Sequence, residues 1–425
     1  MTATRQGRAA GLMVMAALLV STVGDEVAMV ALALRGAERT GLTSVVSAQM
    51  LAGLVPGIVL GGPIGRVCDR FRTDAVLGVT LALECLIAAA AAAVADSALS
   101  LIATMLLLGV LGAVAQTCVM ALVPQLFQDS GSQLRVNGVM ESSRNAGYIV
   151  GPLLVGVLTA HGGTGLALVV DAGTFAFALL AVPVIGGWLA AMPRGADSPS
   201  TDEKRTAESA GGGLRLGLSL LWAGAARRTT LATIAVTVAA TSVANVLLPF
   251  FARDMPGGTA VYGTLLAAWS VGLVLGPFLL RGRLSHRPTA MVAVAAATFI
   301  GLTYTVTGAF PVVPLMLVAF LCGGAANAVQ NVTLRTHVMA DCPPDLRGRV
   351  GAAYGATLQS AVAIGFALAA LAPAHWARWG IFTGGAIAFV GGLLGWLRTR
   401  ATVGLLAPGR AVSVPVGTAM DGEMP

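Results

Sequence analysis

Four acidic residues lie inside long apolar stretches of this 425-residue sequence. Asp25 and Glu26 are adjacent in the stretch VSTVGDEVAMV, and Glu84 and Asp171 lie in later stretches. An ionised acid at the centre of a membrane-spanning helix costs roughly 2.5–3.5 kcal/mol, so four of them indicate a function. Burial disfavours the ionised form of a carboxyl group, whereas a nearby cation favours it. The four acids are therefore candidates for proton exchange or for binding a substrate.

The composition indicates which elements position these acids. Hydrophobic residues make up 56% of the chain and charged residues 11%, and the mean hydropathy is +0.83. A soluble protein of this length needs more polar surface, so we interpret the chain as an all-α integral membrane protein. Twelve apolar runs of about twenty residues predict twelve membrane-spanning helices, called spans 1 to 12. They lie near residues 11–34, 45–65, 75–95, 98–123, 138–160, 164–191, 229–252, 259–280, 288–309, 312–334, 350–372 and 376–397.

The positions of Lys and Arg predict the orientation, because cytoplasmic loops are enriched in both residues. With the N-terminus inside, Arg35, Arg39, Arg253 and Arg378 lie outside, and the other 22 of the 26 basic residues lie inside. We therefore expect a multi-pass protein of the plasma membrane with both termini in the cytoplasm. The positive charges are dispersed over many loops, so the net charge of +7 does not indicate a nucleic-acid partner.

One long polar segment, residues 193–213, separates the two groups of six spans. Its composition is typical of a flexible linker, and the amphipathic stretch that follows is expected to lie along the cytoplasmic membrane surface. The predicted parts are an N-terminal six-helix bundle at 1–192, a linker at 193–228, a C-terminal six-helix bundle at 229–400 and a cytoplasmic tail at 401–425.

A numbering shift of 214 superposes small and polar residues of the two halves. It pairs Gly62 with Gly276, Gly109 with Gly323, Gln116 with Gln330, Arg135 with Arg349, and Gly151 with Gly365. The same shift holds from span 2 to span 11, so we predict two pseudo-symmetric bundles of six helices. Two such bundles around a central cavity are what alternating access requires.

Two motifs give the chain a resemblance to a known family. The sequence GRVCDRFRTD after span 2 is close to the pattern G-x-x-x-D-[RK]-x-x-R, although its last basic residue is displaced. Span 5 carries Gly138, Gly147, Gly151 and Pro152 at the spacing G-x8-G-x3-G-P, with one later glycine lost. Over residues 11 to 400 the chain resembles the major facilitator superfamily, and in particular its drug and natural-product exporters.

The resemblance implies roles for both motifs. Gly65, Asp69, Arg70 and Arg72 are implied to form a gate, in which Asp69 faces the N-terminal end of span 11 and helps to close the cytoplasmic side. The span 5 motif is implied to be that of antiporters. Drug–proton antiporters often carry an arginine in span 4, where this chain has MLLL at 105–108. We therefore consider Arg144 of span 5 a substitute cation, or else a side chain that extends to the cytoplasmic interface.

The two adjacent acids cannot both face the cavity, since successive residues on a helix point about 100° apart. We expect Asp25 to face it, with Glu26 as the alternative, and Glu84 to couple protons or to pair structurally. Neutral polar side chains are the other cavity candidates, and they are Gln116, Asn245, Trp269, Asn327, Gln330, Asn331, Tyr354 and Gln359. An acidic side opposite a neutral, partly aromatic side suits a hydrophobic or cationic organic molecule.

The sequence does not indicate an enzyme. Its single lysine, Lys204, belongs to no phosphate-binding loop, and its four histidines and five cysteines show no metal spacing, so neither a metal nor a cofactor is expected. We predict a monomeric transporter in the lipid bilayer that exports a lipophilic small molecule in exchange for protons. The alternatives are an importer or symporter of the same fold and a non-transporting membrane sensor.

Overall fold

The computed structural model describes residues 2–126, 130–191, 210–279, 289–340, 342–343 and 346–405. Within these ranges the side chains of several helical residues, chiefly those of 2–15 and 123–145, are not described. The regular secondary structure of the described residues is helical throughout.

The helices of the first half follow the predicted spans. Span 2 is bent by 60° after Val59, because Pro56 lacks an N–H for the helical hydrogen bonds and Gly61, Gly62 and Pro63 follow the bend. Spans 5 and 6 form one helical stretch that is interrupted by non-helical dihedral angles at Gly162 and Gly163. The bounds are Thr2–Thr40 for span 1, Thr43–Val59 and Gly61–Arg70 for span 2, Thr73–Val94 for span 3, Ala98–Leu126 for span 4 and Ser130–Ala191 for spans 5 and 6.

The helices of the second half begin with a short helix of the linker, Ala210–Leu221. Spans 7 to 10 are Ala225–Arg253, Thr259–Leu279, Thr289–Ala309 and Val313–Met339. Spans 11 and 12 are Arg347–Ala369 and Ala377–Leu405, with a short 3-10 helix, Ala374–Trp376, between them.

The number of spans is only partly tested by the described residues. Among them, nine helices are long and apolar enough to cross a membrane, or ten if the bent pair of span 2 is one span. Spans 1 and 5 are not among these ten, and both contain side chains outside the described set. The fold is a multi-pass helical membrane fold, and the count of twelve stays a prediction.

The same pairs of helices pack in both halves. Span 1 packs on spans 5 and 6 as span 7 packs on spans 11 and 12, and span 2 packs on span 4 as span 8 packs on span 10. Glycines permit the close contacts: a methyl group added at Gly151 would lie 2.5 Å from Glu26 Cβ on span 1, and one at Gly365 would lie 2.5 Å from Ser242 Cβ on span 7. The packing of the first half is therefore repeated in the second.

The two halves contact each other at one end of the molecule, here called the closed end. Gly156 of span 5 lies against Gly263 of span 8, where an added methyl group would be 3.1 Å from Gly263 Cα. Thr43 Oγ1 donates a hydrogen bond to the carbonyl of Ala372, 2.5 Å away, and Arg253 contacts the carbonyl of Ala37. One continuous apolar cluster runs through spans 1 and 7 at this end.

The opposite end, here called the open end, lacks such contacts among the described residues. A methyl group added at Gly57, Gly61 or Gly65 of span 2 would meet no neighbouring atom within 4 Å, and the same is true of Gly348 and Gly355 of span 11. Val59 and Phe71 are 65% and 59% exposed. Spans 2 and 11 therefore separate toward the open end.

The amphipathic stretch after the linker packs on protein rather than lying only along a membrane surface. Gly217 contacts the backbone carbonyl of Arg349 at the start of span 11, and an added methyl group there would be 3.2 Å from Ala353 Cβ. Leu221 is fully buried in an apolar cluster with Val350. Only glycine permits this approach, which connects the linker to span 11.

Candidate functional site

The adjacent acids of span 1 point in different directions. Asp25 is exposed, as is Met29 one turn later on the same face. Glu26 is half-buried with its Cβ over Gly151, so it faces span 5, and Gly24 faces span 6. The packing against spans 5 and 6 therefore leaves Asp25 on the unpacked side of the helix.

Asp25 and Asn245 lie below the closed end, on the two helices that meet there. Asp25 is about 18 Å along span 1 from Ala37, and Asn245 is about 12 Å along span 7 from Arg253, at 1.5 Å per residue. Both side chains are exposed in the middle of helices that are otherwise largely buried. A polar side chain at this depth needs water or a polar partner.

The second half supplies an aromatic wall beside Asn245. Tyr304 of span 9 donates a hydrogen bond of 2.5 Å to Asn245 Oδ1, which fixes the orientation of the amide. The rings of Trp269, Tyr304 and Phe320 pack on one another with centroids 5.7 to 6.0 Å apart. Tyr304 and Phe320 are buried, so only the half-buried ring of Trp269 is available for apolar or cation–π contacts with a ligand.

Sequence reasoning missed Tyr304 and Phe320. Both lie in the middle of apolar runs, where an aromatic residue is ordinarily part of the core, and both are indeed buried. The available signal was the phenol of Tyr304, because a buried hydroxyl needs a hydrogen-bond partner from a neighbouring helix.

The structure divides the other cavity candidates into three groups by their exposure. Gln116, Asn331 and Gln359 are exposed, and Asn327, Trp269 and Tyr354 are half-buried. Asn331 donates a hydrogen bond of 3.2 Å to Asn327 Oδ1, one turn earlier on span 10. Gln330 is 3% exposed, so it packs inside the second half and does not line the open space.

Two of the predicted acids are removed from the open space by burial. Glu84 of span 3 is 1% exposed and Asp171 of span 6 is 0% exposed. Asp171 accepts a long hydrogen bond of 3.4 Å from Thr174 Oγ1. Both acids interact electrostatically with Asp25, so the structure brings three of the four candidates into one region.

The implied gating motif lies at the open end. Arg72 Nη2 donates a hydrogen bond of 2.8 Å to Asp74 Oδ2, and this bond raises the pKa of Arg72. Arg70 is exposed and lies 6.0 Å from the centroid of the Phe71 ring. Gly65 has open space beside it, and the side chain of Asp69 lies outside the described residues.

The span 5 motif packs span 5 on span 1. A methyl group added at Gly147 would lie 3.0 Å from Thr22 Cγ2, and the corresponding group at Gly151 would overlap Glu26. Pro152 is buried next to this contact. Gly138 and the side chain of Arg144 lie outside the described residues, so the structure does not place the substitute cation.

A metal centre finds no ligands in the described part of the chain. No group of three His, Cys, Asp or Glu side chains there could hold a metal ion.

Comparisons with known proteins agree with this geometry. The sequence model of the Major Facilitator Superfamily matches residues 13–366. The chain is 27% identical over 387 residues to the multidrug efflux pump Tap of Mycolicibacterium fortuitum, covering 87% of this chain and 90% of that protein. It is also 27% identical over 380 residues to the multidrug efflux pump Tap of Mycobacterium tuberculosis (strain ATCC 25618 / H37Rv), covering 85% and 86%. The resemblance predicted from the sequence is thus confirmed.

Solved structures show the same fold. The nucleoside transporter NupG has a TM-score of 0.61 at 12% identity, covering 94% of this chain and 99% of that chain. The peptide transporter POT in complex with sulfate has a TM-score of 0.64 at 12% identity, covering 92% and 94%. At these identities the comparison establishes the fold alone.

Proposed function

Since the chain belongs to the Major Facilitator Superfamily, we propose that it is a secondary exporter that exchanges protons for a hydrophobic or cationic small molecule. The protein is a multi-pass membrane transporter. The exposed side chain of Asp25 in the middle of span 1 supports this proposal, and we propose that it borders one space with Trp269 and the amide of Asn245.

The proposed transport cycle is alternating access between two six-helix bundles. With both termini in the cytoplasm, the closed end is extracellular and the open end is cytoplasmic, so the structure corresponds to an inward-open state. The contact of Gly156 with Gly263 and the bond from Thr43 to Ala372 seal the extracellular side in this state. Closure of the open end would bring spans 2 and 11 together.

Asp25 is the proposed coupling acid. Its protonated form is neutral, and its ionised form attracts a cation, so one carboxyl group cannot hold a proton and pair with a cationic substrate at once. Binding of the substrate therefore requires release of the proton, and the reverse holds on the other side of the membrane. Because the proton and the cation compete for the Asp25 carboxyl group, their movements are exchanged, which is antiport.

The neutral wall of the second half is the proposed recognition surface. The half-buried Trp269 provides a polarisable face for an apolar or cationic molecule, and the buried rings of Tyr304 and Phe320 pack behind it. Asn245 provides an amide held by Tyr304. The names of the relatives, multidrug efflux pumps, support export and a small-molecule substrate.

The test of the proposal separates antiport from symport. Purified protein is reconstituted in liposomes, the membrane potential is held at zero with potassium and valinomycin, and a pH gradient is imposed. We expect ethidium to accumulate when the lumen is more acidic than the outside, because outward proton flow then drives inward cation flow. A protonophore should abolish the accumulation.

Accumulation only when the outside is more acidic would identify a symporter and contradict the proposal. Binding of ethidium without gradient-driven movement in either direction would favour the sensor. Asp202→Asn, which removes a carboxylate of the polar linker, is the matched control and should transport as the unmodified protein does.

A further inference from the structure

The indole ring of Trp269 on span 8 lies in a slot on span 10. A methyl group added at Gly323 would lie 2.7 Å from Trp269 Cζ3, which is closer than two carbon atoms normally approach. The same methyl group would lie 2.8 Å from Oγ1 and 2.9 Å from Cγ2 of Thr303 on span 9. The slot therefore exists because residue 323 has no side chain.

The backbone of span 8 packs tightly on span 10 beside this slot. A methyl group added at Gly324 would overlap the carbonyl oxygen of Trp269, so span 10 touches the main chain of that residue. A methyl group at Gly272 or Gly276 of span 8 would overlap a carbonyl oxygen of span 10. Because the two backbones are already in contact, a larger residue at 323 must displace the Trp269 ring rather than the helices.

Buried side chains enclose the ring on its inner side. The rings of Tyr304 and Phe320, which are 2% and 1% exposed, lie with their centroids 6.0 and 5.9 Å from that of Trp269. Thr303 Oγ1 donates a hydrogen bond of 3.2 Å to the carbonyl of Ala319, which holds span 9 against span 10. Trp269 itself is half-buried, so its ring can move only toward its exposed side.

The corresponding glycine of the first half has a different neighbour. With the shift of 214, Gly323 corresponds to Gly109, and Trp269 corresponds to Val55. A methyl group added at Gly109 would lie 2.9 Å from Gly53 Cα, so this glycine makes room for the backbone of span 2. The glycine that serves helix packing in the first half thus positions an aromatic ring in the second.

We propose that Gly323 sets how far the Trp269 ring projects into the substrate-binding space, and thereby limits the size of the aromatic group that a cationic substrate can carry. The inference rests on the proposed function, in which Trp269 borders that space. Gly323 is a positioning residue, because it acts through the ring. A methyl group at residue 323 would push the ring outward by about 1 Å, to ordinary carbon–carbon contact, and would narrow the space.

Fluorescence tests the position of the ring without a ligand. The full-length protein in lipid nanodiscs is compared with its Trp269→Phe variant, and the difference between their emission spectra is the emission of Trp269. The same difference is measured in the Gly323→Ala background, where we expect stronger quenching by acrylamide. Gly173→Ala is the control background, because a methyl group added there meets no atom within 4 Å. Equal quenching of Trp269 in all backgrounds overturns the inference.

Equilibrium dialysis tests the consequence for the substrate with two cations, tetraphenylphosphonium and methyltriphenylphosphonium, in which a methyl group replaces one phenyl ring. We expect Gly323→Ala to raise the Kd for tetraphenylphosphonium about tenfold, because the displaced ring occupies the space of a phenyl group. The Kd for methyltriphenylphosphonium should change little. Adding Trp269→Phe, which has a smaller ring, should restore the ratio of the two Kd values. A purely structural role of Gly323 would not give this rescue.

If Gly323→Ala weakens the binding of both cations by the same factor, or if Trp269→Phe does not restore the ratio, the inference is overturned while the proposed function stands. If the unmodified protein binds neither cation, the proposed function fails, and the inference fails with it. If Gly323→Ala does not fold, Thr303→Ala is added to every protein. That substitution removes the two Thr303 atoms that the new methyl group would meet, and it leaves the overlap with the ring to be tested.

Discussion

The two halves of the molecule share their packing but differ in their buried charges. With the shift of 214, Asp25, Glu84 and Asp171 of the first half correspond to Ala239, Thr298 and Gly385 of the second. The glycine contacts of spans 5 and 11, by contrast, are the same in kind, since Gly151 packs on span 1 and Gly365 packs on span 7. The two halves thus share their helix packing, whereas these three acids belong to the first half alone.

This difference separates two tasks that alternating access needs. Close packing of small residues lets each half move as a unit, and that requirement applies to both halves equally. Proton exchange needs acids in only one half, provided that the other half supplies a surface for the substrate. The aromatic wall around Trp269 and the amide of Asn245 are in the half that lacks the three acids.

Removal of Asp25, the proposed coupling acid, should have the largest effect on transport. Each unit of pH gradient supplies about 1.4 kcal/mol per proton exchanged, which is about tenfold in accumulation. Asp25→Asn should therefore lose about tenfold of ethidium accumulation per pH unit, measured by uptake into liposomes. Glu26→Gln, on the side of the helix that faces span 5, should retain the gradient dependence. The reverse result would assign coupling to Glu26.

Adding a methyl group at the corresponding glycine of either half should lower the stability of the protein by a similar amount. Gly151→Ala and Gly365→Ala each place a methyl group 2.5 Å from a neighbouring Cβ, which should cost about 1–3 kcal/mol of stability. The measurement is thermal unfolding in detergent. Gly173→Ala is the matched control, since an added methyl group there meets no atom within 4 Å. A loss confined to one of the two variants would show that the packing is not equivalent.

Loss of one hydrogen bond in the second half should weaken substrate binding without affecting coupling. Tyr304→Phe removes the donor to Asn245 Oδ1, and a hydrogen bond of this kind contributes about 0.5–1.5 kcal/mol. We expect the Kd for tetraphenylphosphonium to rise about two- to tenfold, measured by equilibrium dialysis. The number of protons released per bound cation should stay the same. A change in that number would place part of the coupling in the second half.

The smallest expected effect concerns Glu38, an acid at the closed end that corresponds to Ala252 in the second half. Partial burial raises the pKa of Glu38 above its usual value, while Arg39, Arg35 and Arg253 lower it. The folded protein thus binds this proton more tightly than the unfolded chain, so the stabilisation is present at acid pH and is lost as the pH rises through the raised pKa.

Glu38→Gln should remove this pH dependence. Relative to the variant, the unmodified protein should lose a small amount of stability as the pH increases from about 4 to neutral, in thermal unfolding measured at a series of pH values. The effect is small because the side chain is only partly buried and solvent screens its charge. Parallel stability curves for the two proteins would contradict the expectation.

The sequence predicted those features that depend on one helix at a time. Apolar length predicted the spans, and spacing identified the span 5 motif, whose Gly147 and Gly151 contact Thr22 and Glu26 in the described structure. The side of span 1 that each acid occupies follows from which residues pack on spans 5 and 6. A helical wheel separates Asp25 from Glu26 by angle, but it does not contain the neighbouring helices.

Features that depend on the register between helices were not predictable. Gln330 was a cavity candidate because it is polar and mid-span, yet its face of span 10 packs inward and it is buried. The linker helix was expected along the membrane surface, and its packing on span 11, which Gly217 allows, was not predicted. In both cases a contact from a distant part of the chain decides the environment.

The most direct test of the central claim, that coupling resides in an acid of the first half, is a count of protons released when tetraphenylphosphonium binds to purified protein in weakly buffered solution. The account predicts that the unmodified protein and Glu26→Gln release protons on binding, and that Asp25→Asn binds the cation without release. Equal release from Asp25→Asn and from the unmodified protein would contradict it.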